Sequence, residues 1–338
     1  MFYARKITIT AAAFLGLLLF TTCKKDPYLS IGDGDCFDPE EGYVDPLAPR
    51  FDVLPEYYYK NYHMPCFNPN NPKEFCYLFA KRGVGGQLRK HNLQTGEDKL
   101  IYPISFSGSP KWNKNGKITF ASGYQVYTID DNGKNIKKLT TVPYNMYPAW
   151  LNDTTIICYH SPNLGTTTGI LRIYTTTAQI DTLLLSGWFC LDVASNKSVC
   201  TPSGNFMLYS TTEVFQQHQW EYSIKVSDNL IDSRCAVWHP NSEDIFYTAY
   251  NEGLFKVNIY SKQNTLILKH CPSRRYSNLA ISPDGNWIIA ERLTYFYINP
   301  PPKRKVRKGK ANAQLYQKYT LELMDINGNN RMELKLPE

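Results

Sequence analysis

An all-β chain made of repeated four-stranded antiparallel units is what the sequence predicts, and three observations carry that expectation. Apolar and polar residues alternate with a period of two between Gly, Asn and Asp turns, the signal of short strands. An apolar residue placed just ahead of a polar turn recurs down the chain. No helical stretch of useful length competes with the strands.

The clearest unit runs from Ser109 to Leu139. Pro110-Lys111-Trp112 reads as a short strand, and Asn113-Lys114-Asn115-Gly116 as a turn in which glycine supplies positive φ without steric cost. In Lys117 to Ala121, Ile118 and Phe120 alternate with Lys117 and Thr119, so one face of the strand is expected to be buried. Gln125 to Asp130 alternate likewise, Asp131-Asn132-Gly133 turn the chain again, and Asn135 to Leu139 close the unit.

Taken from its start, the chain opens with a segment, residues 1–22, that reads as a targeting signal. Arg5 and Lys6 precede a charge-free apolar run of 14 residues, Ile7 to Phe20. That is shorter than the roughly 20 residues a membrane-spanning helix needs. Residues 23–56 hold Pro27, Pro39, Pro46, Pro49 and Pro55 with little periodicity and read as a flexible tether. Asp33, Asp35 and Asp38 lack the further ligands and central glycine of a calcium loop, so a solvated acidic linker is expected there.

From Tyr57 onward the repeat takes over. Aligned on the apolar residue before the turn, its units show Phe67 (CFNPNN), Trp112 (KWNKNG), Trp150 (AWLNDT), Cys200 (VCTPSG), Trp238 (VWHPNS) and Ile281 (AISPDG), 38 to 50 residues apart. Second strands follow at 75–79, 118–121, 155–159, 206–210, 244–248 and 287–291. Six units lie near 57–105, 106–142, 143–186, 187–234, 235–271 and 272–338. A four-stranded repeat of this length is the signature of a β-propeller blade, so 57–338 is expected to be a six-bladed β-propeller. A β-sandwich or two packed β domains is the competing architecture. Trp112, Trp150 and Trp238 are expected to pack between blades rather than to stack on a ligand, and Tyr57, Tyr58 and Tyr59 to help close the ring against the last sheet.

Two resemblances add to this reading. Leu19-Phe20-Thr21-Thr22-Cys23, followed by Lys24-Lys25-Asp26, resembles the lipobox and mature start of Bacteroidota lipoproteins, although Thr22 stands where Gly or Ala is more usual. That resemblance implies lipidation at Cys23, a membrane anchor and a place in the bacterial cell envelope, facing the periplasm or the cell surface. Ser282-Pro283-Asp284-Gly285, Pro110 to Gly116, and Asp131-Asn132-Gly133 before Lys138-Leu139-Thr140 resemble the repeats of TolB-like, WD40-related propellers. The match covers nearly the whole mature chain and implies a fold rather than a function. Only the sixth unit keeps Ser-Pro-Asp-Gly intact.

Outside the cytoplasm disulfides persist, and eight cysteines remain besides Cys23. Cys66 and Cys76, like Cys190 and Cys200, are ten apart and could close a hairpin, yet several cysteines sit in apolar runs as small buried hydrophobes. Neither Cys-x-x-Cys nor zinc spacing is present, so no metal site and no cofactor are expected. The charge is concentrated in one insertion of the sixth unit, Asn299 to Lys310. There Lys303, Arg304, Lys305, Arg307, Lys308 and Lys310 follow three prolines, and without these six cations the formal charge of +7 falls to +1. This candidate binding loop suits an acidic ligand such as a lipid headgroup, an acidic protein or an acidic glycan. A solvated loop with no specific partner is the plain alternative. Nucleic acid is not expected in that compartment.

Catalytic motifs are absent: no Gly-x-Ser-x-Gly elbow, P-loop or His-Glu-x-x-His occurs, and the six histidines are scattered over the units. The related oligogalacturonate lyases gather such residues at the channel mouth around a metal, and spacing alone does not exclude that here. The reading adopted is a non-catalytic binding or scaffolding propeller for an envelope protein partner. Its rival is a propeller that binds or cleaves polysaccharide at the channel mouth.

Overall fold

The computed structural model describes residues 50–51, 59–81, 85–105, 108–141, 144–163, 167–185, 188–194, 197–202, 208–211, 224–226, 233–249, 252–270, 274–298 and 314–336. A two-residue strand, β1 (Arg50–Phe51), precedes the sheets. The first sheet is β2 (Lys60–Asn68), β3 (Asn71–Lys81), β4 (Gly85–Asn92) and β5 (Asp98–Ile104). The second is β6 (Lys111–Trp112), β7 (Lys117–Ser122), β8 (Gln125–Asp130) and β9 (Lys137–Lys138). The third is β10 (Asn145–Asn152), β11 (Thr155–Asn163), β12 (Thr167–Tyr174) and β13 (Ile180–Leu185). The fourth is β14 (Trp188–Ala194), β15 (Lys197–Pro202), β16 (Leu208–Thr211) and β17 (Ile224–Lys225). The fifth is β18 (Ser233–Trp238), β19 (Asp244–Ala249), β20 (Gly253–Asn258) and β21 (Asn264–Lys269). The last holds β22 (Arg274–Ile281), β23 (Trp287–Ile298), β24 (Gln314–Asp325) and β25 (Met332–Glu333).

The chain is thus an all-β propeller whose four-stranded blades are antiparallel meanders. Five sheets have that make-up, which corrects the expectation of six. The last is five-stranded, because β1 pairs in parallel with the end of β23, Arg50 opposite Tyr297 and Phe51 opposite Ile298. Arg50 and Phe51 thus make the strand pairing with the last sheet, and β2 packs against it downstream; of Tyr57, Tyr58 and Tyr59 only Tyr59 is among the described residues. The first strand of each sheet lines the centre: β2 touches β6, β6 touches β10, β10 touches β14, β14 touches β18, β18 touches β22, and β22 touches β2.

A second correction concerns burial. The second strands are buried on both faces, not one. In β3, Phe75, Tyr77 and Phe79 pack with Ile289, Leu321 and Leu323 of the last sheet. Cys76 and Leu78, pointing the other way, pack with Trp112, Ile118 and Phe120 of the second sheet. In β19, Ile245 and Tyr247 join Val226, while Phe246 joins Tyr276, Leu279 and Ile288. Successive residues of one strand serve opposite interfaces, so these strands read as continuous apolar runs.

Turns lock each sheet to its neighbour. Asn113 Oδ1 accepts from the N–H of Asn115 (3.1 Å) and of Lys117 (2.9 Å), so the side chain shapes the turn that the sequence predicts. Gly133 turns at φ +82°, and a Cβ there would lie 2.9 Å from the Ile101 carbonyl oxygen of the preceding sheet. At Gly285 (φ +75°) a Cβ would lie 2.6 Å from His239 Nε2, which sits 3.1 Å from the Gly285 carbonyl oxygen. Both positions need glycine for conformation and for close approach. Asp284 is a turn residue, as expected, with Ser282 Oγ and the Asn286 N–H donating to its Oδ1.

The fourth unit departs from its sequence alignment. Cys200 lies on β15, the second strand, and the residue equivalent to the tryptophans is Val193 on β14. The second strand expected at 206–210 is the third, β16.

Candidate functional site

Inner strands that run side by side bring their C-terminal ends together at one end of the channel. There Phe67, Trp112, Trp150, Val193, Trp238 and Ile281, one from each inner strand, line a cavity of about 140 Å³. Trp112 packs with Leu78, Leu88 and Phe120 across the first and second sheets. Trp238 packs with Val226 and Tyr247 across the fourth and fifth, and Trp150 packs against Val126 and Ile156 across the second and third. All three tryptophans are the expected wedges between blades. The same indoles also wall the cavity, a double role that the sequence reading had set up as a choice.

Polar groups in the cavity are organised around Asp192. Its Oδ1 accepts from Lys111 Nζ at 2.7 Å and its Oδ2 accepts from the Trp238 N–H at 2.8 Å, so one carboxylate ties the second, fourth and fifth sheets. Trp150 Nε1 donates to the Lys111 carbonyl oxygen at 3.0 Å. Lys90 Nζ stands 5.6 Å from the centroid of Trp112, close enough for cation–π attraction. The Lys111–Asp192 pair brings opposite charges that cancel, which leaves the described wall without net charge. Sequence reasoning missed Asp192 entirely. The available signal was its place one residue before the fourth unit's inner-strand landmark, matching Lys111 before Trp112.

Cys66 also lines the cavity, directly across the β2–β3 ladder from Cys76. A hydrogen bond from the Cys76 thiol holds Cys66 below the usual thiol range against the effect of burial, and Lys111 and the Trp112 N–H reinforce the shift. Burial pushes Cys76 the other way, well above that range. Cys66, Cys76, Cys158 and Cys235 are all free thiols.

A second polar centre joins the last sheet to the first. Glu291, almost fully buried, accepts from the Met64 N–H (2.9 Å), Ser277 Oγ (3.0 Å) and Asn278 Nδ2 (3.0 Å), with His63 Nδ1 at 3.4 Å. Burial raises its pKa, but the His63 interaction and the Met64 and Asn278 hydrogen bonds outweigh it and hold the carboxyl below the usual range. Donors on several sides hold this carboxylate ionised, and through it they join the last sheet to the first.

The described histidines each have their own local partners. His91 Nδ1 lies 3.3 Å from Asp98, His160 Nδ1 lies 2.9 Å from Asn145 Oδ1, and His270 Nε2 accepts from the Tyr276 N–H at 3.0 Å. Among the described residues no group of three or more His, Cys, Asp or Glu is placed to hold a metal ion. Cys23, the cations Lys303, Arg304, Lys305, Arg307, Lys308 and Lys310, and the side chains of Cys190 and Cys200 lie outside the described residues. The hairpin that leads into the basic segment is described: β23 and β24 pair without a break from Trp287↔Asp325 to Ile298↔Gln314. It runs past the last pairing of β22, Arg274↔Thr294, toward the N-terminal ends of the inner strands. Ile298 and Gln314, the described residues that flank the basic segment in sequence, therefore lie toward the end of the sheet opposite the tryptophans.

No sequence-family model matches the chain, and no curated protein matches it by sequence. Solved structures do. TolB from Acinetobacter baumannii is similar at 11% identity over 85% of this chain and 66% of that chain, with a TM-score of 0.53. The fold is that of a TolB-like β-propeller. A calcium-binding protein, regucalcin, from Agrobacterium tumefaciens strain C58 is similar at 12% identity over 72% and 87% of the two chains, with a TM-score of 0.54. An oligogalacturonate lyase in complex with manganese is similar at 10% identity over 80% and 77%, with a TM-score of 0.50. At these identities the likeness is one of fold.

Proposed function

We propose that this TolB-like propeller is a non-catalytic binding or scaffolding module of the bacterial envelope, anchored through a lipid on Cys23 and presented to a protein partner. The observation that carries the proposal is the state of the channel. Asp192, Lys111, Trp150 Nε1 and the Trp238 N–H bind one another across four sheets, and these groups are engaged in holding the ring rather than in chemistry. A rigid disc with an internally neutralised channel suits recognition by its rim and loops. The segment from Lys303 to Lys310, which enters from the end of the β23–β24 hairpin, is the proposed contact for an acidic surface of the partner.

The test is recovery of partners from envelope membranes under mild detergent with the full chain, a variant with the six cations replaced by glutamine, and Cys23→Ala. The expected result is a protein that co-purifies with the full chain, is depleted with the neutralised loop, and no longer sediments with membranes when Cys23 is replaced. Recovery of no protein, together with retention or cleavage of an acidic glycan, would replace this reading with the polysaccharide one. Membrane attachment unchanged in Cys23→Ala would overturn the anchor.

A further inference from the structure

Two cysteines, Cys66 and Cys76, face each other directly across β2 and β3 at the wall of the channel cavity. Directly opposed residues of an antiparallel pair have Cα atoms about 4.5–5.5 Å apart. That lies inside the roughly 4.4–6.8 Å a disulfide spans. The register thus places the two residues where a disulfide can be closed across the ladder. Their surroundings differ in the way a thiol exchange pair requires. Cys66 is half-buried and lines the cavity, whereas Cys76 is fully buried behind it between the first and second sheets. The Cys66 thiol lies 3.6 Å from the Phe67 carbonyl oxygen, and the neighbouring Cys76 thiol, the Lys111 ammonium and the Trp112 backbone lower its pKa against burial and the Asp192 charge, so Cys66 is the more readily ionised of the two.

We propose that Cys66 and Cys76 form a redox-active dithiol, with Cys66 the attacking thiol, Cys76 the resolving thiol, and a small dialkyl disulfide entering the cavity as the oxidant. In the first step the Cys66 thiolate attacks one sulfur of the disulfide. A Cys66–S–S–R bond forms and the other half leaves as a thiolate that takes up a proton. In the second step Cys76 loses its proton and attacks the Cys66 sulfur, expelling the second half as a thiol. Two protein thiols are oxidised to one disulfide and the incoming disulfide is reduced to two thiols, so electrons and protons balance. Closure removes the Cys66 thiolate from beside Lys111 and fixes the first sheet's inner strand to its second. The inference is independent of what the propeller binds and of the compartment, because the poise of the surroundings sets which form prevails.

The experiment incubates the folded full chain with hydroxyethyl disulfide, blocks remaining thiols with N-ethylmaleimide, and maps disulfides by peptide mass spectrometry without reduction. The expected product joins the peptides of Cys66 and Cys76, has lost two hydrogens, and reverts fully with dithiothreitol. Under the same conditions Cys76→Ser should accumulate a hydroxyethyl adduct on Cys66, and Cys66→Ser should leave Cys76 unmodified. The proposal is overturned if both cysteines remain alkylatable after oxidation, if Cys66 links to a different cysteine, or if Cys76 reacts in the absence of Cys66. The mapping on unsubstituted protein stands by itself should a serine variant fail to fold.

Discussion

The second sheet and the last sheet are cut from the same repeat and both pack through apolar clusters, yet the last sheet adds a far larger set of buried polar and charged groups. Between Lys111 and Lys138 the buried side chains are mainly Trp112, Ile118, Phe120, Ala121, Val126 and Ile129, with the uncharged polar Asn113, Thr119 and Thr128 among them. The last sheet buries Glu291, Arg292, Thr294, Lys318, Thr320 and Glu322. Arg292 Nη1 donates to Glu322 Oε2 (3.0 Å) and the Tyr276 hydroxyl donates to Glu322 Oε1 (3.1 Å) on the face that packs toward the fifth sheet. On the other face Glu291 reaches Met64, 227 residues away in sequence. Around it Lys318 Nζ donates to the Lys60 carbonyl oxygen, the Tyr319 N–H donates to Asn61 Oδ1, and the Tyr62 hydroxyl donates to the Leu336 carbonyl oxygen. The second sheet meets neighbours that directly precede and follow it, and non-directional apolar packing carries most of that contact, with the Lys111–Asp192 and Trp150–Lys111 hydrogen bonds added at the channel. The last sheet must find a partner at the far end of the chain, and directional hydrogen bonds define one register for that closure.

The largest effect is expected where the apolar device is removed. Trp112→Ala deletes the wedge between the first two sheets and should cost about 3–5 kcal/mol, as truncations of buried aromatics do. Because no ionisable group is lost, the cost measured by denaturant unfolding should be the same at neutral and at mildly acidic pH. A cost that changes with pH would show that the second sheet also depends on charge, and the contrast between the two sheets would fail.

Glu291→Ala comes next. It leaves the Met64 N–H and the Asn278 amide without their acceptor at a buried position, for an expected loss of about 2–4 kcal/mol. Here the pH dependence is the signature. The folded-state pKa of Glu291 lies below its unfolded value, so its contribution is fully present above the unfolded pKa and is lost as pH falls through the folded one. The variant should therefore unfold less steeply with acid than the parent. An acid limb with unchanged slope would remove Glu291 from its role in joining the last sheet to the first.

This contrast also marks what could be read in the sequence. The repeat was legible because its turns and tryptophans obey local rules: Asn113 and Asp284 sit in their turns as the residue types require. Where those local signals misled, the reading slipped. Thr201-Pro202-Ser203-Gly204 has the look of the turn that follows an inner strand and points to Cys200 as the landmark, whereas the structure puts Val193, which lacks an aromatic ring, at that place. Burial on both faces was written in Phe75 to Phe79, a run without polar interruption, although the alternating strands of the second unit suggested one buried face. Glu291 could not be recognised, since its partner Met64 lies in another sheet far away in sequence, and the positional signal for Asp192 was hidden once the landmark was placed at Cys200 instead of Val193.

A smaller effect is expected in the cavity. Asp192→Asn removes the charge that faces Lys111 but keeps an acceptor, and Lys111 retains some contact with solvent, so the loss should be about 1–2 kcal/mol. The loss should disappear when Lys111→Met is combined with it in a double-mutant cycle, and independent, additive losses would mean that the two groups do not act as a pair.

The smallest effect has the opposite sign. Burial pulls the pKa of Lys318 down to about 7, with Glu333 opposing the shift and Lys60 adding to it. In the unfolded chain the amine keeps its ordinary value of 10.5, so between about 7 and 10.5 the unfolded state holds a proton that the folded state has released. Stability contributed by this group therefore rises with pH across that window and is least below it, where a charged amine is buried. Lys318→Met should flatten the rise and, at neutral pH, stabilise the protein by about 1 kcal/mol, the gain in desolvation being offset by the donor lost to the Lys60 carbonyl. Stability curves at several pH values decide the matter. If the rise survives in the variant, another group near the seam between the first and last sheets carries it. If Lys318→Met is destabilising at every pH, the Lys60 hydrogen bond outweighs the buried charge, and even the last sheet's least favourable group is there to fix register.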